Sequence, residues 1–129
     1  MKKALLASVA FCLGLSIPAK EAKREPMTFS LECTGGDCVL LKGVPQTNGM
    51  RGGSVKLKPR ESVGWHSTGE NEEALTILHG SGIASIEGQA DLPLHEKMLA
   101  YIPSGIRHNV TNTGNELLEY VWVVAPVKE

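Results

Sequence analysis

Short runs of alternating apolar and polar residues follow one another along most of the chain. Val55 and Leu57 alternate with two lysines, and Leu75 and Ile77 share their parity with Glu73. Because alternate side chains of a β-strand lie on one face, such runs predict strands with one buried face. Further runs cover residues 83–86, 92–96, 98–102, 106–111 and 117–125. Turn residues separate them and no stretch has a sustained helical period, so the chain predicts an all-β sandwich or barrel.

Two of these strands would bring metal-binding side chains together. His66 and Thr68 share one face of the first strand, and Glu73 begins the next. A polar turn, Gly69 to Asn71, joins the two, so His66 and Glu73 can point at one interior position. His108 lies one strand beyond a later Pro-x-Gly turn. Two imidazoles and one carboxylate suit a divalent first-row metal with open coordination positions, a pattern associated with non-haem Fe(II) chemistry.

These two stretches resemble the signature motifs of the cupin superfamily. The first motif is Gly, five residues, His-x-His, three or four residues, Glu, six residues and Gly. It is matched here by His66, Glu73 and Gly80. The second motif is Gly, five residues, Pro-x-Gly, two residues, His, three residues and Asn. It is matched by Pro103, Gly105, His108 and Asn112. The resemblance spans roughly residues 54–126.

The resemblance implies a small single-domain cupin with a jelly-roll (double-stranded β-helix) barrel. It implies a divalent transition metal, Fe, Mn, Ni or Zn, held by His66, Glu73 and His108 in one mouth of the barrel. Glu72 competes with Glu73, because strand parity allows only one of them to face inward; the spacing to Gly80 favours Glu73.

The same resemblance leaves the activity open, since one fold hosts many functions. A metal-dependent enzyme of the dioxygenase, isomerase or lyase type would act on a small polar organic substrate. The alternative is a non-catalytic module that binds a sugar or a carboxylate. A third possibility is a barrel with a role in assembly as a homodimer, because cupins commonly dimerise through their sheets. No catalytic residue beyond the metal ligands can be named.

Three positions depart from the family pattern. Arg60 and Lys97 replace the leading glycines of the two motifs, and both changes fall in turns. Thr68 replaces the second histidine of motif one, where it touches the chemistry. A hydroxyl is a poor neutral ligand beside imidazole, so Thr68 leaves a more open site, donates a hydrogen bond to a metal-bound water, or marks a barrel without metal. His79 and His95 match no ligand position and are predicted to be solvated.

Length and charge restrict the class of partner. The chain has 129 residues, enough for one domain with one core, and a formal net charge of −1. No run of like charges is present, so neither nucleic acid nor an anionic membrane surface is expected as a partner. The predicted ligand is a small molecule.

The first residues have a different composition from the rest. A short basic start precedes an apolar segment that ends at Ile17, followed by small residues at a candidate cleavage point. The apolar segment is shorter than the roughly 20 residues of a spanning helix, so residues 1–22 predict a secretory signal peptide, cleaved after Ala19 or Ala22. Export to the periplasm or medium is therefore expected; an uncleaved anchor is the alternative. Residues 23–53 are predicted as an N-terminal arm and hairpin, and residues 54–129 as the barrel core.

Two cysteines remain beyond that leader. Cys33 and Cys38 flank a Gly- and Asp-containing turn between the strand-like runs 29–32 and 39–42, which predicts a hairpin with opposed sulfur atoms. In an oxidising compartment the pair is expected to form a structural disulfide, with a redox pair or half of a metal site as alternatives. The following residues 43–53 are rich in turn formers and predict a loop.

Overall fold

The structure is a computed structural model that describes residues 23–128. The proposed signal peptide, residues 1–22, lies outside the described residues. Eight strands are present: β1 (Asp37–Lys42), β2 (Arg51–Leu57), β3 (Asn71–His79), β4 (Ser81–Ile86), β5 (Leu92–His95), β6 (Leu99–Ile102), β7 (His108–Thr111) and β8 (Leu118–Pro126). Within residues 23–128 there is no α-helix. None of these residues therefore belongs to a helix that is long and apolar enough to span a membrane.

The strands form two sheets, and every pair is antiparallel. A five-stranded sheet has the order β1-β2-β8-β3-β6, and a three-stranded sheet has the order β5-β4-β7. Neighbours can be distant in sequence: β2 pairs along its whole length with β8. The all-β prediction is confirmed.

The core lies between the sheets and follows the alternation of the sequence. In β3, Glu73, Leu75 and Ile77 are buried, whereas Thr76 and Leu78 between and beyond them are exposed. Other strands contribute in the same way; the most deeply buried apolar residues also include Ala84, Leu94, Ile102, Val110 and Leu118. Each buried Leu, Ile or Val side chain contributes roughly 1.5–3 kcal/mol relative to exposure.

The N-terminal hairpin predicted between residues 29–32 and 39–42 is wrong. Residues 23–36 contain no strand, and β1 pairs instead with β2, with Asp37 opposite Val55 and Cys38 opposite Ser54. A two-stranded hairpin is marginal by itself, whereas β1 here extends a five-stranded sheet. The sulfur atoms of Cys33 and Cys38 nevertheless lie at disulfide distance, as predicted.

The predicted loop 43–53 is too long at its C-terminal end, because Gly52 and Gly53 lie buried within β2. A Cβ atom at Gly53 would overlap the carbonyl group of Cys38 and lie 3.1 Å from the ring of Trp122. The β1–β2 pairing shifts register between Val39 and Leu41, next to this contact. These glycines therefore mark the close approach of two backbones, not a turn.

The arm that precedes β1 lies against the large sheet. Phe29 and Leu31 line an apolar cavity of about 170 Å³, and Trp122 and Val123 of β8 line it from the sheet. Trp122 also packs against the core cluster, so its role is structural.

Arg60 and Lys97 occupy the two turn positions at which the resemblance expects glycine. Their φ angles are 72° and 68°, in the left-handed region. For residues with a Cβ atom this conformation costs roughly 1–2 kcal/mol. The turns therefore keep the backbone shape that glycine would adopt freely.

Candidate metal centre

Strand parity places Glu73 inside the barrel. Glu73 is the third residue of β3 and is 6% exposed, whereas the preceding Glu72 is exposed and accepts a hydrogen bond of 3.0 Å from the Tyr101 hydroxyl. Since successive side chains of a strand point to opposite faces, only one of the two carboxylates can face the interior. The prediction that this is Glu73 is confirmed.

His108 begins β7 and is fully buried. His66 lies beside it, on a segment that was predicted as a strand but forms only isolated bridges to β7. The backbone N–H of His66 donates to the carbonyl of His108 (3.0 Å), and the N–H of His108 donates to that of His66 (2.9 Å). The ring centroids are 4.3 Å apart with the planes at 62°. This bridge brings the exposed imidazole next to the buried one.

The structure brings the three residues proposed as ligands to one point. One potential ligand atom each of His66, Glu73 and His108 lies within 4.8 Å of the others. Among residues 23–128 this is the one group of three or more His, Cys, Asp or Glu side chains with that geometry.

Both imidazoles are oriented by backbone carbonyls. Nδ1 of His66 lies 2.9 Å from the Gly64 carbonyl oxygen, and Nδ1 of His108 lies 3.0 Å from that of Ile106. A carbonyl oxygen only accepts hydrogen bonds, so Nδ1 carries the proton in each ring and Nε2 of the neutral ring carries a lone pair. Histidines that bind metal are commonly fixed in this way.

Glu73 and His108 meet in an arrangement that requires a cation or a proton. His108 Nε2 and Glu73 Oε2 lie 2.9 Å apart, and both atoms are buried without a hydrogen-bond partner of acceptable geometry. Burial lowers the pKa of His108, but the Glu73 carboxylate and the Ile106 carbonyl together raise it above its ordinary value of 6.5. When His108 is neutral, two acceptors face each other, and a buried unsatisfied polar group costs about 1–3 kcal/mol. The donor set therefore fits a divalent metal ion.

The side chains beside this pair are apolar. Ile102 and Val124 are the cross-strand partners of Glu73, and Ile86 is the partner of His108. All three are buried. Tyr120 is also buried, and burial followed by the Glu73 charge raises the pKa of its hydroxyl well above the usual value. Tyr120 therefore stays neutral near Glu73.

Thr68 lies just before the turn that separates His66 from Glu73. Its hydroxyl donates a 2.6 Å hydrogen bond to the Asn71 carbonyl. The hydroxyl hydrogen is therefore engaged within the turn, which argues against the alternative in which Thr68 donates to a metal-bound water. The sequence contained a signal for this role, since Thr and Asn commonly close local turns.

The remaining polar residues occupy structural or surface positions. His79 and His95 are exposed, as predicted; the ring nitrogens of His79 lie 3.7 Å from Glu96 and 3.3 Å from Glu116. The buried amide of Asn112 donates to the carbonyls of Leu57 (2.8 Å) and Glu116 (2.7 Å), and its oxygen accepts from the Gly114 N–H. Asn112 therefore closes the turn after β7, which is the role that its sequence context predicts.

A comparison with protein families identifies the family of this chain. The family model described as "Cupin domain" matches residues 53–124, more than half of the chain. This chain is a cupin. The cupin is 36% identical over 70 residues to the "Oxalate-binding protein" of Thermotoga maritima, a match that covers 54% of the cupin and 57% of that protein.

Solved structures agree on the fold. A crystal structure described as a predicted oxalate decarboxylase from Thermotoga maritima has a TM-score of 0.54 and 32% identity, covering 61% of this chain and 66% of that one. A cupin protein from Bacteroides fragilis has a TM-score of 0.64 at 17% identity, covering 84% and 88%, which shows the fold alone. The prediction of a jelly-roll cupin is confirmed. This cupin spans less than two thirds of the length of each of these Thermotoga chains.

Proposed function

We propose that this cupin binds one divalent first-row transition metal through His66, Glu73 and His108, and that a small carboxylate binds at that metal. The observation that carries the proposal is the buried contact of 2.9 Å between Glu73 Oε2 and His108 Nε2. Two oriented acceptors at that distance, with a third ligand atom within 4.8 Å, are the arrangement that a cation stabilises.

The ligand set favours some metals over others. Imidazole suits Zn, Fe, Ni and Cu, and a carboxylate extends the range to Mn, so Fe, Mn, Ni and Zn are the ions to test. Three protein ligands would leave coordination positions for a small molecule. When bound, the ion supplies Lewis-acid charge to an oxygen ligand.

The surroundings of the site support an anionic ligand that is recognised through the metal. The interior neighbours Ile86, Ile102 and Val124 offer apolar contact only. A carboxylate would therefore find its compensating charge at the ion itself. The relative that is named as an oxalate-binding protein makes oxalate the first carboxylate to test.

Metal content tests the first half of the proposal. We expect the purified protein to bind one Zn²⁺ or Mn²⁺ per chain by calorimetry, and His108→Ala to weaken binding by more than about 100-fold, beyond the usual effect of an outer-shell change. His95→Ala, which changes an exposed histidine outside the centre, is the matched control and should bind like wild type. Wild type without stoichiometric metal after exposure to Fe, Mn, Ni and Zn would defeat the proposal.

Equilibrium dialysis tests the second half. Oxalate itself chelates metals, so both metal and oxalate are measured on each side of the membrane. An excess of both metal and oxalate on the protein side indicates a ternary complex. Metal that leaves the protein side as an oxalate chelate contradicts carboxylate binding at the bound ion. Acetate, which offers a single carboxylate, should be retained less.

Turnover is the second candidate, and the structural neighbour described as a predicted oxalate decarboxylase favours it. Decarboxylation would break the oxalate carbon–carbon bond, release CO₂ and, after protonation of the remaining carbon, leave formate. Carbon-13 NMR of labelled oxalate with the metal-loaded protein would show formate if this occurs. Retained oxalate without formate identifies a binding module.

A further inference from the structure

Thr68 and Asn71 are joined by reciprocal hydrogen bonds across the turn between His66 and Glu73. The Thr68 hydroxyl donates to the Asn71 carbonyl at 2.6 Å. The Asn71 side-chain amide donates to the Thr68 carbonyl at 2.8 Å, and the Asn71 backbone N–H points to the same oxygen at 3.3 Å. Three bonds therefore hold a turn of four residues closed.

The same turn is anchored to two other parts of the barrel. The N–H of Gly105, three residues before His108, donates to the carbonyl of Gly69 at 2.7 Å. The N–H of Val127, just beyond β8, donates to the carbonyl of Glu70 at 3.0 Å. The turn is thus the point at which the segments that carry all three proposed ligands are tied together.

We propose that Thr68 is a positioning residue: its hydroxyl locks the turn that sets the separation of His66 and Glu73, and it does not bind the metal. This inference rests on the proposed metal binding and deepens it. His66 lies two residues before Thr68, and Glu73 lies two residues after Asn71. A change in the turn is therefore transmitted to both ligands over a very short length of chain.

The physical reason is preorganisation of the ligands. A metal site must hold its side chains within about 0.5 Å of the productive geometry. Glu73 and His108 are fixed by burial, but His66 is exposed and its segment is not part of a full strand. The turn and the backbone bridge to His108 are therefore what fixes His66 relative to Glu73.

Two substitutions at position 68 separate the hydroxyl from the side-chain volume. Thr68→Val keeps the shape and removes the donor, and Thr68→Ser keeps the donor. We expect Thr68→Val to raise the Kd for Zn²⁺ and Co²⁺ by about 10–100-fold, the usual effect of removing an outer-shell partner. Thr68→Ser should stay within about 3-fold of wild type on the same basis. Thr76→Val, on the exposed face of β3, is the matched control and should leave Kd unchanged.

The Co²⁺ absorption spectrum distinguishes a positioning residue from a ligand. At saturation, Thr68→Val should keep the band intensities that mark the wild-type coordination number, because the coordinating atoms are the same; a change in coordination number would identify Thr68 as a ligand and overturn the inference. A fall in the melting temperature of the metal-free protein with an unchanged Kd would also overturn it, since the hydroxyl would then serve the fold alone.

The possible failures are distinguishable. Wild type that binds no metal defeats the proposed function and this inference together. If wild type binds metal and Thr68→Val binds it equally tightly, only the inference about Thr68 is defeated. If Thr68→Val does not fold, Asn71→Ala removes the return bond to the Thr68 carbonyl and is expected to raise Kd in the same way; an unchanged Kd in Asn71→Ala then decides against it.

Discussion

At the residue scale, the contact between Glu73 and His108 links the proposed metal binding to proton binding. Both atoms of the 2.9 Å contact are buried, so whichever cation lies between them contributes directly to stability. A proton on His108 gives its imidazole a positive charge 2.9 Å from Glu73 Oε2, which offsets the carboxylate charge when metal is absent. Metal and proton therefore compete for one position, and metal binding should release a proton at pH values below the His108 pKa.

This competition predicts the pH dependence of the metal-free protein. The pKa of His108 is raised in the folded state above 6.5, so its stabilising effect is fully present below the pKa of the unfolded chain and is lost as the pH rises through the folded pKa. We expect the free energy of unfolding in urea with chelator to fall as the pH rises above about 6.5. Saturating Zn²⁺ should reverse that trend. A pH-independent stability from pH 6 to 9 would contradict it.

Glu73→Gln tests the same contact with an isosteric change. The glutamine amide can donate to neutral His108 Nε2, so the unsatisfied pair disappears without a cation. Above the His108 pKa we expect the metal-free variant to be more stable than wild type by about 1 kcal/mol, the lower end of the penalty for an unsatisfied buried group. Metal binding should be lost.

Urea unfolding with chelator and calorimetry with Zn²⁺ measure the two effects. Glu72→Gln, on the exposed face of the same strand, is the control and should change neither stability nor metal affinity appreciably. A Glu73→Gln protein that still binds Zn²⁺ like wild type would exclude the carboxylate as a ligand.

The convergence of His66, Glu73 and His108 could be predicted because it depends on strand parity and motif spacing, which are properties of the sequence. The orientation of the imidazoles could not. The carbonyls of Gly64 and Ile106 that fix the rings are present in any backbone, so no residue type indicates them. Thr68 was identified as the critical departure, but the partner of its hydroxyl depends on the closed turn.

At the element scale, the turns contain strain that a single substitution can release. Lys97 has φ 68°, and its backbone bond to Ile77 does not involve its side chain. Lys97→Gly should remove a left-handed penalty of about 1–2 kcal/mol and add a glycine entropy cost of about 0.5–1 kcal/mol. We therefore expect a net stabilisation of roughly 0.5–1 kcal/mol in urea unfolding.

Lys58→Gly is the matched control for this prediction. Lys58 is exposed and has an ordinary φ, so glycine there should destabilise by about 0.5–1 kcal/mol. The ion pair of Lys97 with Glu96, at 3.8 Å on the surface, contributes little to the comparison. Equal effects at the two positions would show that the Lys97 turn stores no strain.

Most strands follow from local alternation, but the partner of β1 does not. The Cys33–Cys38 turn indicated a local hairpin, whereas β1 pairs with β2, whose other neighbour in the sheet, β8, comes from the far end of the chain. Gly52 and Gly53 were assigned to a loop for a related reason. These glycines are needed because the backbones of neighbouring strands pass close to them, and that proximity exists only in the folded protein.

At the scale of the whole molecule, we propose that the protein is exported and that residues 1–22 are its cleaved leader. The supporting observations are the apolar N-terminal segment of the sequence and the disulfide distance between Cys33 and Cys38, which suits an oxidising compartment. Fractionation of expressing cells with intact-mass analysis should find a chain that begins at Lys20 or Lys23 with both cysteines oxidised. An uncleaved chain retained in the cytoplasm with free thiols would contradict this.

The bond between Val127 and Glu70 has a practical consequence for the distant end of the chain. Trimming by a protease just past Pro126 would remove one anchor of the turn that separates His66 from Glu73. Loss of these C-terminal residues, which are far along the sequence from the proposed ligands, would then weaken metal binding at His66 and Glu73 while the core stayed folded.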